Sequence, residues 1–391
     1  MIRLFDNRER TDMVPSTYAE PDYTFLERSG RTDSARVRAC LEAWFQALPG
    51  SRKAGFAGAF RTPLDTQFTA SVYELYLHEL LRRRGCELEI HPDNPSGKTS
   101  RPDFRVVEPD QSVMFLEAVF ASDISDPDRA AEARKNVVYD CLNSIDSPDF
   151  FLGMIMRGDP KTPPPAKRMR AEVAAWISTL SWDDLSSESA VDGSDRPHYQ
   201  FDHDGWSIEF LAHAKSEANR GKPDVRPVGI RSSGVQKSTH VDAMRRAIRK
   251  KANKYGDIQA PLVIALNLGR FHASHEDALQ ALYGDVQYRI PVGDVAAEPE
   301  PSRIRNGVWT GRSGPRCRRV SAVLFSPHIS AWSLAARPIR LYPNPWAHQP
   351  YEGVLQVFPQ AVPVGDLIEQ AEGLHPRDVL DLWETWPDDP A

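Results

Sequence analysis

The chain has 391 residues, of which 41% are hydrophobic and 26% are charged. This balance is typical of a globular protein, and the length suits one large α/β domain with insertions or two smaller domains. A net charge of −6 excludes a protein that is basic overall. The stretch 215–254 nevertheless carries twelve Lys and Arg residues against three acidic ones, which permits a local phosphate-binding face.

Signals for export, membrane insertion and disulfide formation are missing from this sequence. The first residues are charged and lack an apolar signal segment. No apolar run approaches the roughly 20 residues of a membrane helix. The four cysteines are far apart, with neither disulfide-frame nor zinc-site spacing. We therefore expect a cytoplasmic protein with reduced thiols and no membrane partner.

Hydrophobic periodicity and turn residues predict the elements in chain order. A helix over 34–48 ends at Pro49-Gly50, and a largely buried helix over 63–84 ends at Gly85. The remaining predicted elements are strands 87–91, 103–107 and 113–121, helix 128–145, strand 150–156, helix 166–180, the hairpin 199–201/206–214, helix 239–255, and strands 261–268 and 320–326. This order predicts an α/β fold with a mixed sheet flanked by helices, and strand 113–121 is apolar enough to be central in it.

Breaks in the pattern divide the chain into five segments. These are a helical N-terminal extension (1–60), a core (61–156), an insertion with a Pro-rich loop and a hairpin (157–235), a basic helix with the remaining core strands (236–356), and an acidic tail (357–391).

Two carboxylates stand out within the predicted core. Asp103 opens a strand after Pro102, and Glu117 interrupts an otherwise apolar strand, where an ionised side chain is costly unless a cation compensates it. A hairpin of these two strands brings Asp103 and Glu117 together, because neighbouring strands lie about 4.8 Å apart. Paired carboxylates of this kind hold Mg²⁺, which activates water for phosphodiester hydrolysis.

The same residues resemble the core of the PD-(D/E)XK nuclease superfamily, which includes many restriction enzymes. The resemblance is carried by the helix run 73–81 (YELYLHELL), Gly85, Arg101-Pro102-Asp103-Phe104 and Leu116-Glu117-Ala118. The segments 251–256 (KANKYG) and 344–347 (NPWA) also resemble uncharacterised bacterial relatives of this fold. The resemblance implies a restriction-endonuclease-like core, a metal site at Asp103 and Glu117 that binds Mg²⁺ or Mn²⁺, and completion of that site by Glu74.

One position departs from the family pattern. The signature lysine two residues after the glutamate is replaced here by Val119. That lysine positions the attacking water and stabilises charge, so catalysis requires a substitute amine. Lys98, in the loop before Asp103, and Lys135, on the following predicted helix, are the candidate substitutes.

Several residues have two interpretations at this point. Helical spacing places Glu79, rather than Glu74, amid buried positions, so either acid is a candidate for the site. His78 is expected to be a packed or solvated helix residue. The basic residues of the helix 239–255 are either a solvated face or a nucleic-acid-binding surface, and the residues concerned are Arg245, Arg246, Arg249, Lys250 and Lys254; the same alternatives hold for Arg316, Arg318 and Arg319.

These observations predict a Mg²⁺-dependent DNA endonuclease, with defence against foreign DNA as a setting suggested by fold analogy alone. The first alternative is a catalytically degenerate nuclease fold that binds DNA or a partner protein, which Val119 favours. The second is an interaction subunit of a larger assembly, which the acidic net charge and the tail tryptophans Trp383 and Trp386 favour.

Overall fold

A computed structural model describes residues 2–121, 126–158, 162–186, 196–222, 225–232, 240–269, 273–289, 300–364 and 367–389. The chain divides into two compact units. Unit 1 comprises Met1–Pro15, Pro21–Asp123 and Thr239–Ala391, and unit 2 comprises Ser16–Glu20 and Ile124–Ser238. Within the described ranges, no helix has the length and apolar character needed to cross a membrane.

The helices, in chain order, are α1 (Asp22–Arg28), α2 (Thr32–Gln46), α3 (Gly50–Phe60), α4 (Asp65–Arg83), α5 (Asp126–Asn143), α6 (Ala166–Ile177), α7 (Trp182–Ser186), α8 (His240–Ala252), α9 (His275–Tyr283) and α10 (Pro376–Val379), with a short 3-10 helix at Val354–Val357. The strands are β1 (Glu87–Ile90), β2 (Phe104–Val107), β3 (Val113–Ala121), β4 (Phe150–Arg157), β5 (His198–His203), β6 (Trp206–Ala214), β7 (Val228–Ser232), β8 (Leu262–Leu268), β9 (Val286–Arg289), β10 (Glu300–Arg303), β11 (Thr310–Gly311), β12 (Gly314–Pro315), β13 (Ala322–Pro327), β14 (Arg340–Pro343), β15 (Gln360–Val364) and β16 (Leu367–Ala371).

An eight-stranded mixed sheet organises unit 1. Its order is β1-β2-β3-β8-β13-β14-β15-β16, and the central strands β3, β8 and β13 run parallel to one another. The edge strand β1 pairs antiparallel with β2, and β2 pairs antiparallel with β3. The predicted α/β fold with a mixed sheet flanked by helices is therefore confirmed, and β3 lies inside the sheet as its apolar sequence predicts.

Each face of this sheet supports a hydrophobic core. In β3, Met114 and Leu116 pack in the cluster that contains α4, whereas Phe115 and Val119 pack in the cluster that contains α8. The split follows from the two-residue period of a strand, which sends successive side chains to opposite faces. Glu117 shares the period of Phe115 and Val119, so β3 directs it toward the face that α8 covers.

Unit 2 has its own four-stranded sheet, of order β5-β6-β4-β7, and its own core. Helices α5 and α6 contribute Val138, Leu142, Met169 and Val173 to that core. The predicted hairpin is formed by β5 and β6, and Asp204 and Gly205 at its turn have φ values of 46° and 80°. Positive φ at both central residues is the backbone of a tight hairpin turn, so the turn consists of Asp204 and Gly205, whereas Asp202 and His203 belong to β5.

The assignment of α5 and β4 differs from the sequence-based one. The sequence pattern placed them in the core segment 61–156, beside β3, but β4 pairs with β6 and β7 in unit 2. The helix and strand that follow β3 in the large sheet are instead α8 and β8. Both candidate pairs have apolar periodicity, and periodicity does not specify which sheet a strand joins.

The two ends of the chain also differ from the sequence-based segments. Pro49-Gly50 ends α2, but a further helix, α3, begins at Gly50 and packs Ala57 and Phe60 into the core. The segment expected to be an acidic tail contributes β15 and β16 to the large sheet and buries Trp386. Residues 357–389 are thus part of unit 1 rather than an appendage, so far as they are described.

Candidate active site

Asp103, directly before β2, and Glu117, in β3, lie opposite each other in the sheet. Phe104 pairs with Leu116 in the antiparallel register of β2 and β3, so Asp103 stands opposite Glu117. Directly opposed residues of an antiparallel pair project to the same face of the sheet. One carboxyl oxygen of Asp103 accepts a hydrogen bond from the backbone N–H of Ala118 at 2.8 Å, which fixes this carboxyl beside Glu117.

Glu117 has no solvent exposure (0%), and its charge is compensated by side chains from the α8 region. Oε1 accepts hydrogen bonds from Nζ of Lys251, with a short contact, and from Nζ of Lys254 at 3.1 Å. Oε2 accepts a short hydrogen bond from the Tyr255 hydroxyl. Both oxygens of this buried carboxylate are therefore bonded, as burial of a charge requires.

The amine of Lys251 remains charged in this environment. Burial by itself lowers the pKa of Lys251, but the hydrogen bond and the charge of Glu117 outweigh burial, so the pKa lies above its ordinary value. Lys251 and Tyr255 are four residues apart and Lys254 lies between them. This spacing brings all three side chains to one side of the helix end.

Glu74, on α4, belongs to the same electrostatic cluster. Burial, followed by the charges of Asp103 and Glu117, raises the pKa of Glu74 to about 8. Burial and the charge of Glu117 likewise raise the pKa of Asp103 well above its usual range. Like charges disfavour ionisation, so these two shifts indicate that three acids share a site in which two amines do not fully offset them.

The choice between Glu74 and Glu79 is resolved by the contacts of Glu79. Its carboxylate is buried and accepts hydrogen bonds from Arg82 at 2.8 Å and Arg83 at 2.6 Å, which makes it an intrahelical ion pair of α4. His78 is a buried, packed residue, and burial lowers its pKa to about 4. Glu74 is the acid of α4 that interacts with Asp103 and Glu117.

His91 is a member of the site that the sequence analysis missed. It follows β1, stands opposite Asp103 in the β1–β2 register, and donates its backbone N–H to the Asp103 carbonyl at 2.8 Å. Its Nδ1 lies 3.8 Å from Oδ1 of Asp103. Burial and then the charge of Arg52 lower the pKa of His91, so the ring is neutral at physiological pH. Extending the antiparallel pairing from β2 to β1 in the sequence analysis would have placed His91 opposite Asp103.

The loop between β1 and β2 holds the helix end that carries the amines. The last carbonyls of a helix lack partners within it. Asn94 donates to the Tyr255 carbonyl at 3.2 Å, Ser96 donates to the same carbonyl, and Ser100 donates to the Lys254 carbonyl at 2.9 Å. The loop that ends at Asp103 therefore also fixes Lys254 and Tyr255.

The two lysines proposed as substitutes for the family's amine are placed elsewhere. Lys98 belongs to the same loop, and its Nζ lies 3.5 Å from the Asn253 carbonyl, so it caps the helix end. Lys135 lies on α5 in unit 2, whereas the acids lie in unit 1. Among the described residues, the amines that contact Glu117 are those of Lys251 and Lys254. Lys98 and Lys135 are not among those contacts, and their proximity in sequence to Asp103 and Glu117 did not indicate the packing of α8 on β3.

The basic residues predicted to bind nucleic acid have different environments. Arg245 forms an ion pair with Asp285 at 2.7 Å and is largely buried. Lys254 is part of the acidic site. Arg246, Arg249 and Lys250 are exposed.

Arg249 donates to the backbone carbonyls of Asn306 and Gly307, and among the residues that the structure describes it has no acidic partner. The predicted set is thus divided: Arg245 stabilises the fold, Lys254 serves the site, and Arg246, Arg249 and Lys250 form an exposed basic stripe on α8.

The donor atoms of the site suit Mg²⁺, which prefers carboxylate oxygens and water. Glu74, Asp103 and Glu117 supply such oxygens, and burial together with neighbouring negative charge raises the pKa of the first two. A dication bound among them would favour their ionised forms. These three carboxylates are not arranged as a complete set of metal ligands. Within the described ranges, no group of three or more His, Cys, Asp or Glu side chains is positioned to hold a metal ion. Lys251, Lys254 and Tyr255 already occupy three of the roughly four acceptor positions of the Glu117 carboxylate, so a metal ion at Glu117 would compete with these donors.

Comparison with family models, curated proteins and solved structures gave no match for this chain.

Replacing Asn94 with Ala tests the role of the loop in holding the helix end. The amide of Asn94 is buried and donates to the carbonyls of Ser100 and Tyr255, so its loss removes one donor from each of these carbonyls, and the Tyr255 carbonyl keeps only its bond from Ser96. We expect Asn94→Ala to lower the free energy of unfolding by about 1–3 kcal/mol in a denaturant titration. Asn253→Ala, at an exposed position of the same helix end, should change it by less than about 0.5 kcal/mol. Equal effects of the two substitutions would contradict this role.

Glu74→Gln tests the electrostatic coupling of the acids. The folded-state pKa of Glu74 is about 8, above its ordinary 4.5, so its neutral form stabilises the fold. That stability is fully present below about pH 4.5 and is lost as the pH rises through about 8.

In EDTA, Glu74→Gln should therefore be more stable than the wild type above pH 8, by up to about 5 kcal/mol at about 1.4 kcal/mol per pKa unit, and the difference should vanish at low pH. Thermal unfolding across this pH range measures it, with the exposed Glu87→Gln as the matched control. A pH-independent difference would show that Glu74 is not coupled to the other acids.

Proposed function

We propose that this protein is a metal-dependent phosphodiester hydrolase that acts on DNA, an endonuclease of the PD-(D/E)XK type. The observation that carries the proposal is the fully buried Glu117, bonded to Lys251 and facing the same side as Asp103. Two strand carboxylates and one charged amine are the side chains that this chemistry needs.

The order of elements around the site supports the proposal. The chain runs α4, β1, β2, β3, α8 and β8 through unit 1, and β3 and β8 are parallel neighbours. This is the helix-strand-strand-strand-helix-strand order implied by the resemblance, with unit 2 as an insertion between β3 and α8. A large insertion at this point explains why α8, which provides the amine, is remote from Glu117 in sequence.

Lys251 is the proposed substitute for the amine that Val119 replaces. It approaches Glu117 from α8 rather than from β3, and the carboxylate keeps it charged. An ammonium fixed beside the acids stabilises the negative charge that develops on a phosphate oxygen during hydrolysis. Lys254 and Tyr255 hold the Glu117 carboxylate in place, and neutral His91 supports Asp103.

Mg²⁺ or Mn²⁺ is the proposed cofactor. Asp103 and Glu117 would hold it, with Glu74 as the third carboxylate, and the bound ion would supply activated water and neutralise developing charge. Release of a proton from Glu74, whose pKa is about 8, would accompany binding of the ion.

A second candidate is a degenerate nuclease fold that binds DNA, or a partner protein in a larger complex, without cutting. The favouring observation is that both oxygens of Glu117 are already bonded by Lys251, Lys254 and Tyr255. A carboxylate with both oxygens bonded to protein donors is the arrangement of a structural ion cluster. Metal affinity separates the candidates, because an enzyme must bind the ion in competition with these donors.

Lys251→Met tests the catalytic role of the amine. We expect Mg²⁺-dependent cleavage to fall by about 10²–10³-fold, because a donor to the developing charge is lost. Affinity for DNA, measured in EDTA, should stay within about twofold, since a single screened charge contributes little to binding away from the phosphate contacts. Lys167→Met is the matched control: it removes the same charge from an exposed position of α6 that belongs neither to the acidic site nor to the basic stripe of α8.

Cleavage that falls equally in the two variants would contradict the assignment of Lys251. Asp103→Asn should abolish both cleavage and metal binding. A wild-type protein that cuts neither single-stranded nor duplex DNA in Mg²⁺ or Mn²⁺ would establish the binding module instead.

A further inference from the structure

Unit 1 contains a long stretch without acidic residues. Residues 301–351 include eight arginines and no Asp or Glu, in a chain whose net charge is −6. Arginines elsewhere in the chain commonly pair with acids, as Arg28 does with Asp12 and Arg245 with Asp285. Local positive charge that the fold does not compensate is typical of a surface that binds anions.

Four of these arginines are exposed and close together in sequence: Arg312, Arg316, Arg318 and Arg319. Within the described part of the chain, none of the four has an acidic partner, and Arg318 donates to a backbone carbonyl, that of Trp346, at 3.1 Å. Trp346 is itself 36% exposed, although most tryptophan side chains are buried to a greater extent. We refer to these four arginines and Trp346 as the arginine platform.

Buried residues hold the arginine platform in place, so its geometry is fixed before a ligand binds. Val308 and Trp309 are fully buried in the core beneath α8, and the hairpin of β11 and β12 follows them. Arg316 donates its backbone N–H to the Trp309 carbonyl at 2.7 Å. The guanidinium of Arg316 lies over Gly311, where an added Cβ would come within 2.1 Å of its Nε.

Asn344 joins the two segments of the platform. Its buried side chain donates to the carbonyls of Cys317 at 3.2 Å and Val320 at 2.8 Å, and its oxygen accepts from the N–H of Trp346 at 3.0 Å. The exposed tryptophan is thereby held beside the arginines. Fixed cations beside an exposed aromatic ring match a nucleic-acid strand, whose phosphates pair with arginine and whose unstacked bases stack on aromatic side chains.

The platform is continuous with the exposed basic stripe of α8. Burial raises the pKa of the Cys317 thiol, and Arg249 and Arg316 both lie close enough for their charges to oppose that increase. Arg246, Arg249 and Lys250 share one helix face at i, i+3 and i+4, and Lys250 precedes Lys251 of the acidic site. Positive charge therefore extends from the platform along α8 to the candidate active site.

We propose that the arginine platform binds a single-stranded segment of DNA, with Arg316 and Arg319 on its phosphates and Trp346 stacked on a base. Stacking on Trp346 selects a strand with accessible bases over an intact duplex. This inference rests on the proposed function for the choice of DNA, but it requires binding alone and no cleavage.

The test measures binding of a fluorescent single-stranded oligonucleotide in EDTA as a function of salt. Removing two phosphate contacts in Arg316→Gln/Arg319→Gln should reduce the magnitude of the salt slope by about 1.4. Trp346→Ala should weaken binding by about 5- to 100-fold with an unchanged slope, and Trp346→Phe should restore most of it, because the phenyl ring still stacks. The control Arg3→Gln/Arg8→Gln removes two exposed charges from the N-terminal segment and should leave the slope unchanged.

Platform variants that bind like the wild type, or a control that loses as much affinity, would show that these arginines are a solvated surface. Loss of affinity in the arginine variant but not in Trp346→Ala would overturn the single-strand assignment. Binding is scored without divalent metal, so a wild type that binds through the platform but cuts nothing would refute the nuclease proposal alone. If the wild type cuts DNA and the platform variants bind DNA as tightly as the wild type does, only the platform proposal is refuted.

Discussion

A carboxylate without solvent contact, in the middle of an apolar strand, is the constraint on which the candidate site depends. Glu117 cannot remain ionised in β3 unless cations and donors reach both of its oxygens. Lys251, Lys254 and Tyr255 meet that need, so the end of α8 must lie over this face of the sheet. The loop before Asp103 caps that helix end, and the second acid and the amines are thus positioned by the same contacts.

The charge balance of the site links this arrangement to function. Glu74, Asp103 and Glu117 are opposed by two amines, and the raised pKa of Glu74 and of Asp103 reflects burial together with the remaining repulsion. Either protons or a divalent cation can relieve that repulsion. If the acids stay protonated, the site stabilises the fold and has no catalytic role. If they exchange their protons for Mg²⁺, the site can act as that of an enzyme. The two cases differ in metal affinity and not in fold.

The strand acids could be predicted from sequence because their signal is local. A single Glu in an apolar strand and an Asp at the preceding strand's start define a hairpin pair, and β3 was predicted with the bounds that it has. The amine could not be found in this way, since Lys251 is 134 residues from Glu117. Unit 2 intervenes, and its own α5 and β4 carry the same helix-then-strand periodicity as α8 and β8, so local pattern favoured the nearer pair. Glu74 and Glu79 differ only in their partners, which a helical pattern does not specify.

Diffraction from crystals soaked in Mn²⁺, recorded at a wavelength where manganese scatters anomalously, would show whether Asp103 and Glu117 bind a metal ion. We expect an anomalous peak within about 2.5 Å of carboxylate oxygens of both Asp103 and Glu117, with the Lys251 amine moved off Glu117 but still beside the ion's ligands. The peak should be absent from Asp103→Asn crystals. A wild-type map without a peak, in which Lys251 and Lys254 still bond Glu117 at saturating Mn²⁺, would contradict the account and identify the acids and amines as a structural ion cluster.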